Sequence, residues 1–307
     1  MLRLASLAAT LLIASGVTEA TYAHVSLRRA ANFTEAGGSF LETNGFPAGG
    51  GSTCFTGSIE VTVTSTNLKI SYNGSPDQDT LTEFNLEFLE PNSDLATRLV
   101  SNSSPVTGTY SISSKLCLPK ALGTAKEIST VQFLTHGDIV TSTYWNIAPN
   151  YSYIDASTAA GYATFSYDRV GTGQSDHPDP ISIVQGPLHV EIAHALVTML
   201  RYGQIRSHHF PNVIGVGHSA GSIITQGVTI KFPQEFDAVI LTGTSTEVTS
   251  FTLGIAAFDF QIANETDPRF KELPNAYFTQ ANAIGIQIGF FKYPNFDQES
   301  YCSFLLG

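Results

Sequence analysis

The sequence predicts an α/β protein whose mostly parallel sheet carries helices on both faces. In residues 126–245, short apolar segments alternate with segments whose apolar residues recur at helical spacing. The short segments are apolar almost throughout, as strands are when both faces of a sheet are covered. Before this region, "SIEVTVTSTNLKISYN" alternates apolar and polar residues, which predicts strands of a β meander in residues 24–125.

Composition limits the classes of partner. The chain has 307 residues, of which 42% are apolar and 13% charged, so we expect a well-packed globular protein. Its formal net charge is −11. This argues against nucleic acid and anionic membrane surfaces as partners. Oligomeric state cannot be read from the sequence.

The N-terminus has the layout of a signal peptide. Arg3 precedes an apolar run from Leu4 to Val17, and small residues follow at Ala20 and Ala23. The run is shorter than the roughly 20 residues that a membrane span needs, which disfavours a stable anchor. We therefore expect a signal peptide over residues 1–20, cleaved after Ala20 or Ala23, and an extracellular protein.

Sequons and cysteines agree with a secretory route. N-x-S/T sequons, the acceptors for N-glycosylation, lie at Asn32, Asn73, Asn102, Asn150 and Asn264. Cys54 and Cys117 flank a strand-rich stretch, so we expect them to form a disulfide, which leaves Cys302 over. No Cys or His pair has the short spacing that zinc sites favour, and we expect neither a metal nor a cofactor.

The elements follow in a definite order. Residues 36–53 are rich in glycine and predict an exposed loop, and "TYSISSKLCLP" predicts a second strand of the meander. In the core, "STVQFLTHG", "YATFSYD", "NVIGVG" and "FDAVILTG" predict strands, the last two of them buried. Helices are predicted for "SYIDASTAAGY", "GPLHVEIAHALVTMLRYGQI" and "AGSIITQGVTIKFP".

The stretch "GVGHSAGS" at residues 215–222 fits two kinds of site. As Gly217-His218-Ser219-Ala220-Gly221 it is G-x-S-x-G, the strand-to-helix turn that carries the nucleophile of a serine hydrolase. Read from Gly215, it is G-x-G-x-x-A, a dinucleotide-binding fingerprint. Both readings need a strand before the motif and a helix after it.

The next strand separates the two readings. A dinucleotide site needs an acidic residue at the carboxyl end of that strand, to bind the ribose. Here the strand ends in "LTGT", and Asp237 lies at its opposite end. The hydrolase reading is therefore favoured.

Three motifs, "FLTHG", "YDRVGTGQSD" and "GVGHSAG", in this order and spacing, resemble the α/β-hydrolase fold. The similarity covers about Thr109 to Gln298 and is greatest to secreted fungal members of the AB hydrolase-1 type. It implies a nucleophile at Ser219, elbow glycines at Gly217 and Gly221, and oxyanion-hole N–H groups at Asp138 and Ala220. It also implies a structural loop, formed by Asp168, Gly171, Gly173 and Ser175.

The partners of the serine are missing from their expected place. In this fold an acid and then a histidine follow the serine, but no histidine follows Ser219. His136 or His177 could approach the site, whereas His218 should point elsewhere from the turn. Candidate acids are Glu247, Asp259, Asp267 and Asp297.

Residues 246–307 predict a partial apolar cap or lid, followed by an end that lacks the two strands expected to carry the acid and the histidine. We therefore expect a C-terminally truncated serine hydrolase. It would act on small-molecule esters or other acyl substrates, or on peptides, with little turnover. The alternative is a non-catalytic protein that binds a hydrophobic ligand beneath the cap.

Overall fold

A computed structural model describes residues 40–44, 52–90, 92–120, 128–148, 150–246, 256–280, 282–298 and 301. The expected signal peptide, Asn32 and Cys302 lie outside these ranges. So does Glu247.

A seven-stranded sheet organises the chain, with strand order β1-β2-β3-β7-β4-β8-β9. Its strands are β1 (Phe40–Asn44), β2 (Ser52–Ile70), β3 (Val100–Pro119), β4 (Thr130–Thr135), β7 (Ala163–Tyr167), β8 (Asn212–His218) and β9 (Ala238–Thr242). The strands β7, β4, β8 and β9 are mutually parallel. The carboxyl ends of these four strands therefore meet at one edge of the sheet, where ligands bind in open α/β folds.

The first three strands form the antiparallel meander that the sequence predicts. Two details differ. Phe40–Asn44 lies within the predicted glycine-rich loop but pairs with β2, because strand partners distant in sequence satisfy its backbone. Two helices, α1 (Gln78–Leu89) and α2 (Leu95–Leu99), lie between β2 and β3, where no helix was predicted. Asp77 caps α1, its carboxylate accepting a hydrogen bond from the N–H of Thr80 at 2.8 Å.

Helices connect the parallel strands: α3 (Tyr153–Ala159), α4 (Gly186–Arg201) and α5 (Ala220–Lys231). They cover two faces, because successive side chains of a strand point in opposite directions. Phe133 packs in a core cluster that contains residues of α4 and α5. Its neighbour Leu134 packs in a second cluster, with Ile154 of α3 and the Cys54–Cys117 pair.

One strand prediction is wrong in its burial. "FDAVILTG" was expected to be buried, yet all five residues of β9 are exposed, with Val239 and Ile240 each at 41%. The reason is position rather than composition: β9 is the last strand of the sheet and, among the described residues, pairs only with β8. Local hydrophobicity cannot show which strand lies at an edge.

The remaining elements lie in the loop after β4 and in the cap. After β4 come a 3₁₀ helix (Ser142–Trp145), β5 (Asn146–Ala148) and β6 (Tyr151–Ser152). The cap contains β10 (Phe260–Ile262), α6 (Ala263–Thr266), a 3₁₀ helix (Pro268–Phe270), β11 (Phe278–Gln280) and α7 (Ala283–Phe290). In the described part of the chain, no helix is both long and apolar enough to span a bilayer.

Candidate active site

Ser219 occupies a strained turn between β8 and α5. Its backbone has φ 52° and ψ −120°, a region that residues with a Cβ rarely adopt. Its N–H donates to the carbonyl of Thr242 at 2.9 Å, and its own carbonyl accepts from the N–H of Ser222 at 2.9 Å. The turn therefore joins the neighbouring strand β9 to the first turn of α5.

The two elbow glycines are required by close backbone contacts. A Cβ on Gly217 would lie 2.5 Å from Cα of Ser222. A Cβ on Gly221 would lie 2.0 Å from the carbonyl oxygen of Thr135 and 2.6 Å from that of His136. The Cα of Ser222 and the two carbonyl oxygens are all backbone atoms, so none of them can move aside as a flexible side chain would.

The loop after β4 passes directly beside the serine. A Cβ on Gly137 would lie 3.0 Å from Cβ of Ser219 and 3.2 Å from the carbonyl oxygen of His218. The peptide that joins Gly137 to Asp138 therefore borders the nucleophile elbow. The structure brings Ser219, Asp138 and Ala220 to the same edge of the sheet.

The two N–H groups proposed for an oxyanion hole are available. Within the described part of the chain, the backbone N–H groups of Asp138 and Ala220 donate to no other group. The Ser219 side chain is half-buried, and its hydroxyl likewise forms no hydrogen bond with a described residue. The site thus offers a hydroxyl and two donors that have no partner among the described residues.

His136 is buried and structural in this arrangement. Its Nε2 accepts from the backbone N–H of Arg169 at 3.0 Å, so the ring proton lies on Nδ1 and is donated to the carbonyl of Gly137 at 2.7 Å. Burial, reinforced by the nearby charge of Arg169, holds the pKa of His136 well below its usual value. Because both nitrogens are engaged, the expectation that His136 could serve as the base of Ser219 is not supported by its contacts.

The loop after β7 is held by Asp168. One carboxylate oxygen accepts from the N–H of Ser142 and the other from the N–H of Gln174, both at 2.9 Å. A Cβ on Gly173 would lie 2.2 Å from that second oxygen, and the hydroxyl of Ser175 donates to the Asp168 carbonyl at 2.7 Å. These contacts have the structural character that the resemblance implies for this loop.

His177 lies where the cap meets this loop. Its ring centroid is 5.6 Å from that of Tyr277, whose hydroxyl donates to the carbonyl of Pro178 at 2.6 Å. Burial lowers the pKa of His177, opposed by Ser175 and by the charges of Asp176 and Asp168. No contact among the described residues joins His177 to Ser219.

The His218 side chain contacts the loop after β4 and the end of β9. Its ring stacks on Tyr144 with centroids 4.4 Å apart, and its Nδ1 lies 3.1 Å from the hydroxyl of Thr242. That hydroxyl donates to the carbonyl of Gly217, so it accepts from Nδ1–H, which leaves Nε2 unprotonated. Burial lowers the pKa of His218. These contacts hold the His218 ring beside the elbow.

The cap is fixed to the body by polar contacts far apart in sequence. The side-chain amide of Gln78 bonds both the carbonyl of Phe260 and the N–H of Ile262, each at 3.2 Å. In α7, Ile284 and Ile288 are 66% and 65% exposed, so part of the apolar cap faces solvent. Of the candidate acids, Asp259 accepts a hydrogen bond from the side chain of Asn282, and Asp267 forms an ion pair with Arg269. Asp297 is likewise engaged by other groups of the protein.

Cys54 and Cys117 are joined by a disulfide between directly paired residues of β2 and β3. Both are almost fully buried. Within the described ranges, no group of three or more His, Cys, Asp or Glu residues could hold a metal ion.

The sequons differ in their surroundings. Asn73, Asn102 and Asn150 are exposed. In contrast, the side-chain amide of Asn264 donates to the carbonyl of Leu273 at 2.7 Å and to Asn275 at 2.8 Å. The nitrogen that would carry a glycan at Asn264 is therefore engaged inside the cap.

Comparison with known proteins adds one family match. Residues 150–276 match the family model described as serine aminopeptidase, S33. A comparison with curated proteins gave no match.

Several solved structures are similar at low identity. A peroxisomal alpha-beta-hydrolase from Saccharomyces cerevisiae is 12% identical, with 80% of this chain and 61% of that chain covered and a TM-score of 0.36. A carboxyl esterase from Bacillus coagulans is 18% identical, with coverages of 53% and 50% and a TM-score of 0.32. A serine hydrolase without lid from Xanthomonas campestris is 12% identical, with coverages of 43% and 55% and a TM-score of 0.32. Each alignment spans less than two thirds of the other protein.

These overall similarities are too low to carry an argument by themselves. The parallel strands β7, β4, β8 and β9, the strained serine between β8 and α5, and the family match at residues 150–276 agree with one another. The chain therefore has an α/β-hydrolase fold, and its residues 150–276 are similar to the serine aminopeptidase family.

Proposed function

We propose that the protein is an extracellular serine hydrolase that forms an acyl-enzyme on Ser219 with small-molecule esters or related acyl substrates. The observation that carries this proposal is the backbone of Ser219, at φ 52° and ψ −120° between a strand and a helix. Strain of this kind is retained where a nucleophile must project from a sharp turn.

The chemistry of the first step follows from the groups beside the serine. The Ser219 hydroxyl attacks the carbonyl carbon, its proton passes to a base, and negative charge develops on the carbonyl oxygen. The N–H groups of Asp138 and Ala220 have no partner among the described residues and would stabilise that charge. Collapse of the intermediate expels the alcohol and leaves the acyl group on Ser219.

We propose that turnover by this chain is slow. Among the described residues no histidine forms a hydrogen bond with the Ser219 hydroxyl, and His136 has both ring nitrogens engaged elsewhere. Without a base the hydroxyl is a weak nucleophile at neutral pH, although an oxyanion hole alone retains some rate over water. The description of the matching family also makes peptides with a free N-terminus candidate substrates.

Labelling by a fluorophosphonate tests the nucleophile. We expect slow labelling confined to Ser219, with none in Ser219→Ala, as measured by intact mass and peptide mapping. No modification of the wild type after a day would contradict the nucleophile. Rapid stoichiometric labelling would instead contradict slow turnover, because it would require an efficient base.

The second candidate is a binding protein without catalysis, which would hold a hydrophobic ligand beneath the cap. It is favoured by the Ser219 hydroxyl, which has no hydrogen bond to a described residue. Ser219→Ala separates the two candidates: it should abolish esterase activity, whereas binding of a fluorescent fatty-acid probe would survive the change.

Extracellular localisation is supported by the signal-like N-terminus, by the Cys54–Cys117 disulfide and by three exposed sequons. Expression of the full chain in a secreting eukaryotic host tests it. Recovery of processed, glycosylated protein in the medium is expected, and retention of an unprocessed chain in the cytosol would contradict it.

A further inference from the structure

The peptide between Gly137 and Asp138 is held by two hydrogen-bond donors on its carbonyl oxygen. The Arg169 guanidinium donates to the Gly137 oxygen at 3.0 Å. The Nδ1–H of His136 donates to the same oxygen at 2.7 Å. The backbone N–H of Arg169 sets this tautomer, because it donates to Nε2 of His136 at 3.0 Å.

The carbonyl of Gly137 and the N–H of Asp138 belong to one planar peptide. In a trans peptide these two groups point in opposite directions. The only cis peptide bond among the described residues joins Tyr293 to Pro294, so the peptide after Gly137 is trans. Two donors that fix the Gly137 oxygen therefore also fix the direction of the Asp138 N–H.

Arg169 is well placed to hold that direction. The residue is 6% exposed, and its guanidinium also pairs with the Asp138 carboxylate at 2.6 Å, beyond the same peptide. A buried cation on the carbonyl polarises the peptide and strengthens its N–H as a donor. The hydroxyl of Thr172 donates to the backbone carbonyl of Arg169 at 2.7 Å and so helps to fix the position of this residue.

We propose that Arg169 is a positioning residue for the oxyanion hole: it aims and polarises the Asp138 N–H from the far side of the peptide. This inference rests on the proposed acyl transfer at Ser219. It predicts that removal of the guanidinium weakens stabilisation of the oxyanion, even though Arg169 contacts neither substrate nor serine.

The competing explanation is a purely structural clamp, and sulfur substitution in the substrate separates the two. A thiono ester carries sulfur in place of the carbonyl oxygen, and sulfur accepts hydrogen bonds poorly. A hole that works for 4-nitrophenyl acetate therefore gives little help to its thiono analogue. Loss of the hole lowers acylation by the oxygen ester selectively, whereas loss of folded protein lowers both rates equally.

The experiment measures the rate constant for acylation of Ser219 by both esters in the wild type, Arg169→Met and Arg169→Lys. In Arg169→Met we expect the oxygen ester to slow on the order of 10- to 100-fold, below the full loss of an oxyanion donor. The thiono ester should slow less than about 3-fold by the same reasoning. Arg169→Lys keeps the charge without the planar fork, so its loss should be intermediate.

Arg201 provides a matched control. It is a partly buried arginine that donates to the carbonyls of Pro211 and Glu235 at 2.6 and 2.8 Å and pairs with Asp237. Arg201→Met should lower stability and leave the ratio of the two rates at the wild-type value. If Arg169→Met does not fold, as judged by circular dichroism, Arg169→Lys carries the test.

The two possible failures are distinguishable. A rate ratio unchanged in the folded Arg169 variants overturns the positioning role alone, since Ser219 would still be acylated. A wild type that is not acylated at Ser219 by either ester overturns the proposed function and the inference with it.

Discussion

Replacement of Ser219 by glycine should make the protein more stable than replacement by alanine. Both changes remove the hydroxyl, which has no hydrogen bond to a described residue, so this loss cancels between them. They differ in the Cβ, which alanine keeps and glycine lacks. At φ 52° and ψ −120° that Cβ is the source of the backbone strain.

The expected difference follows from two opposing terms. A residue with a Cβ in a sparsely populated region costs about 1–3 kcal/mol, which glycine relieves. Glycine loses roughly 0.5–1 kcal/mol more than alanine on folding, because its unfolded chain is freer. The net advantage of Ser219→Gly over Ser219→Ala should therefore lie between about 0 and 2.5 kcal/mol in the free energy of unfolding, centred on about 1 kcal/mol.

Urea unfolding followed by circular dichroism measures this difference. Ser58 is the control, because it is exposed in β2 and is absent from the residues with positive φ. There the order should reverse, with glycine less stable than alanine by roughly 0.5–1 kcal/mol. If Ser219→Gly were no more stable than Ser219→Ala, the backbone at Ser219 would not be strained. Strain at this turn would then no longer support Ser219 as the nucleophile.

Three further predictions concern backbone contacts, pH and glycosylation. Gly221→Ala should destabilise the protein by about 3 kcal/mol or more in urea unfolding, because its Cβ would meet backbone oxygens. Gly161 has φ 91° but nothing within 4 Å of a Cβ, so Gly161→Ala should cost about 1–2 kcal/mol. Equal losses would contradict the close contact at Gly221. Burial lowers the pKa of His189 well below its usual value in the folded protein. As pH falls below about 6.5, the unfolded chain therefore binds a proton at His189 before the folded protein does. The stability that the neutral, buried His189 contributes is thus present above about pH 6.5 and is lost as pH falls. His189→Leu should therefore flatten the fall in unfolding free energy between about pH 7 and 5, and an unchanged slope would show that other groups cause it. In a glycosylating host, peptide mapping should find glycan at exposed Asn102 and none at Asn264, whose amide is engaged. Full occupancy at Asn264 would show that the cap folds after glycosylation, or that it folds without this hydrogen bond of Asn264.

The local pattern was sufficient for the parallel part of the fold. The segments "STVQFLTHG", "YATFSYD" and "NVIGVG" predicted β4, β7 and β8, and each observed strand lies inside its segment or within one residue of it. Periodicity succeeds here because these strands are buried on both faces by intervening helices. It missed α1 and α2, in which only four side chains are buried, so their apolar stripe is weak.

The site could be predicted only in part, because many of its contacts join residues that are far apart in the sequence. The motif around Ser219 identified the turn, since the small residues that permit it are consecutive in sequence. No local signal could show that the Arg169 guanidinium donates to the carbonyl of Gly137, or that Tyr144 stacks on His218. Those contacts arise only when parallel strands align their carboxyl ends.

The sequence by itself determined the parallel strands β4, β7 and β8, the helices α3, α4 and α5, the cysteine pair and the candidate nucleophile, because these depend on short-range patterns and on which residue types are present. Only the tertiary structure decided that β9 is an exposed edge, that the Asn264 amide is engaged, and that both ring nitrogens of His136 form hydrogen bonds. Each of these depends on which groups fill the space around a residue, and that space is filled by segments distant in the chain.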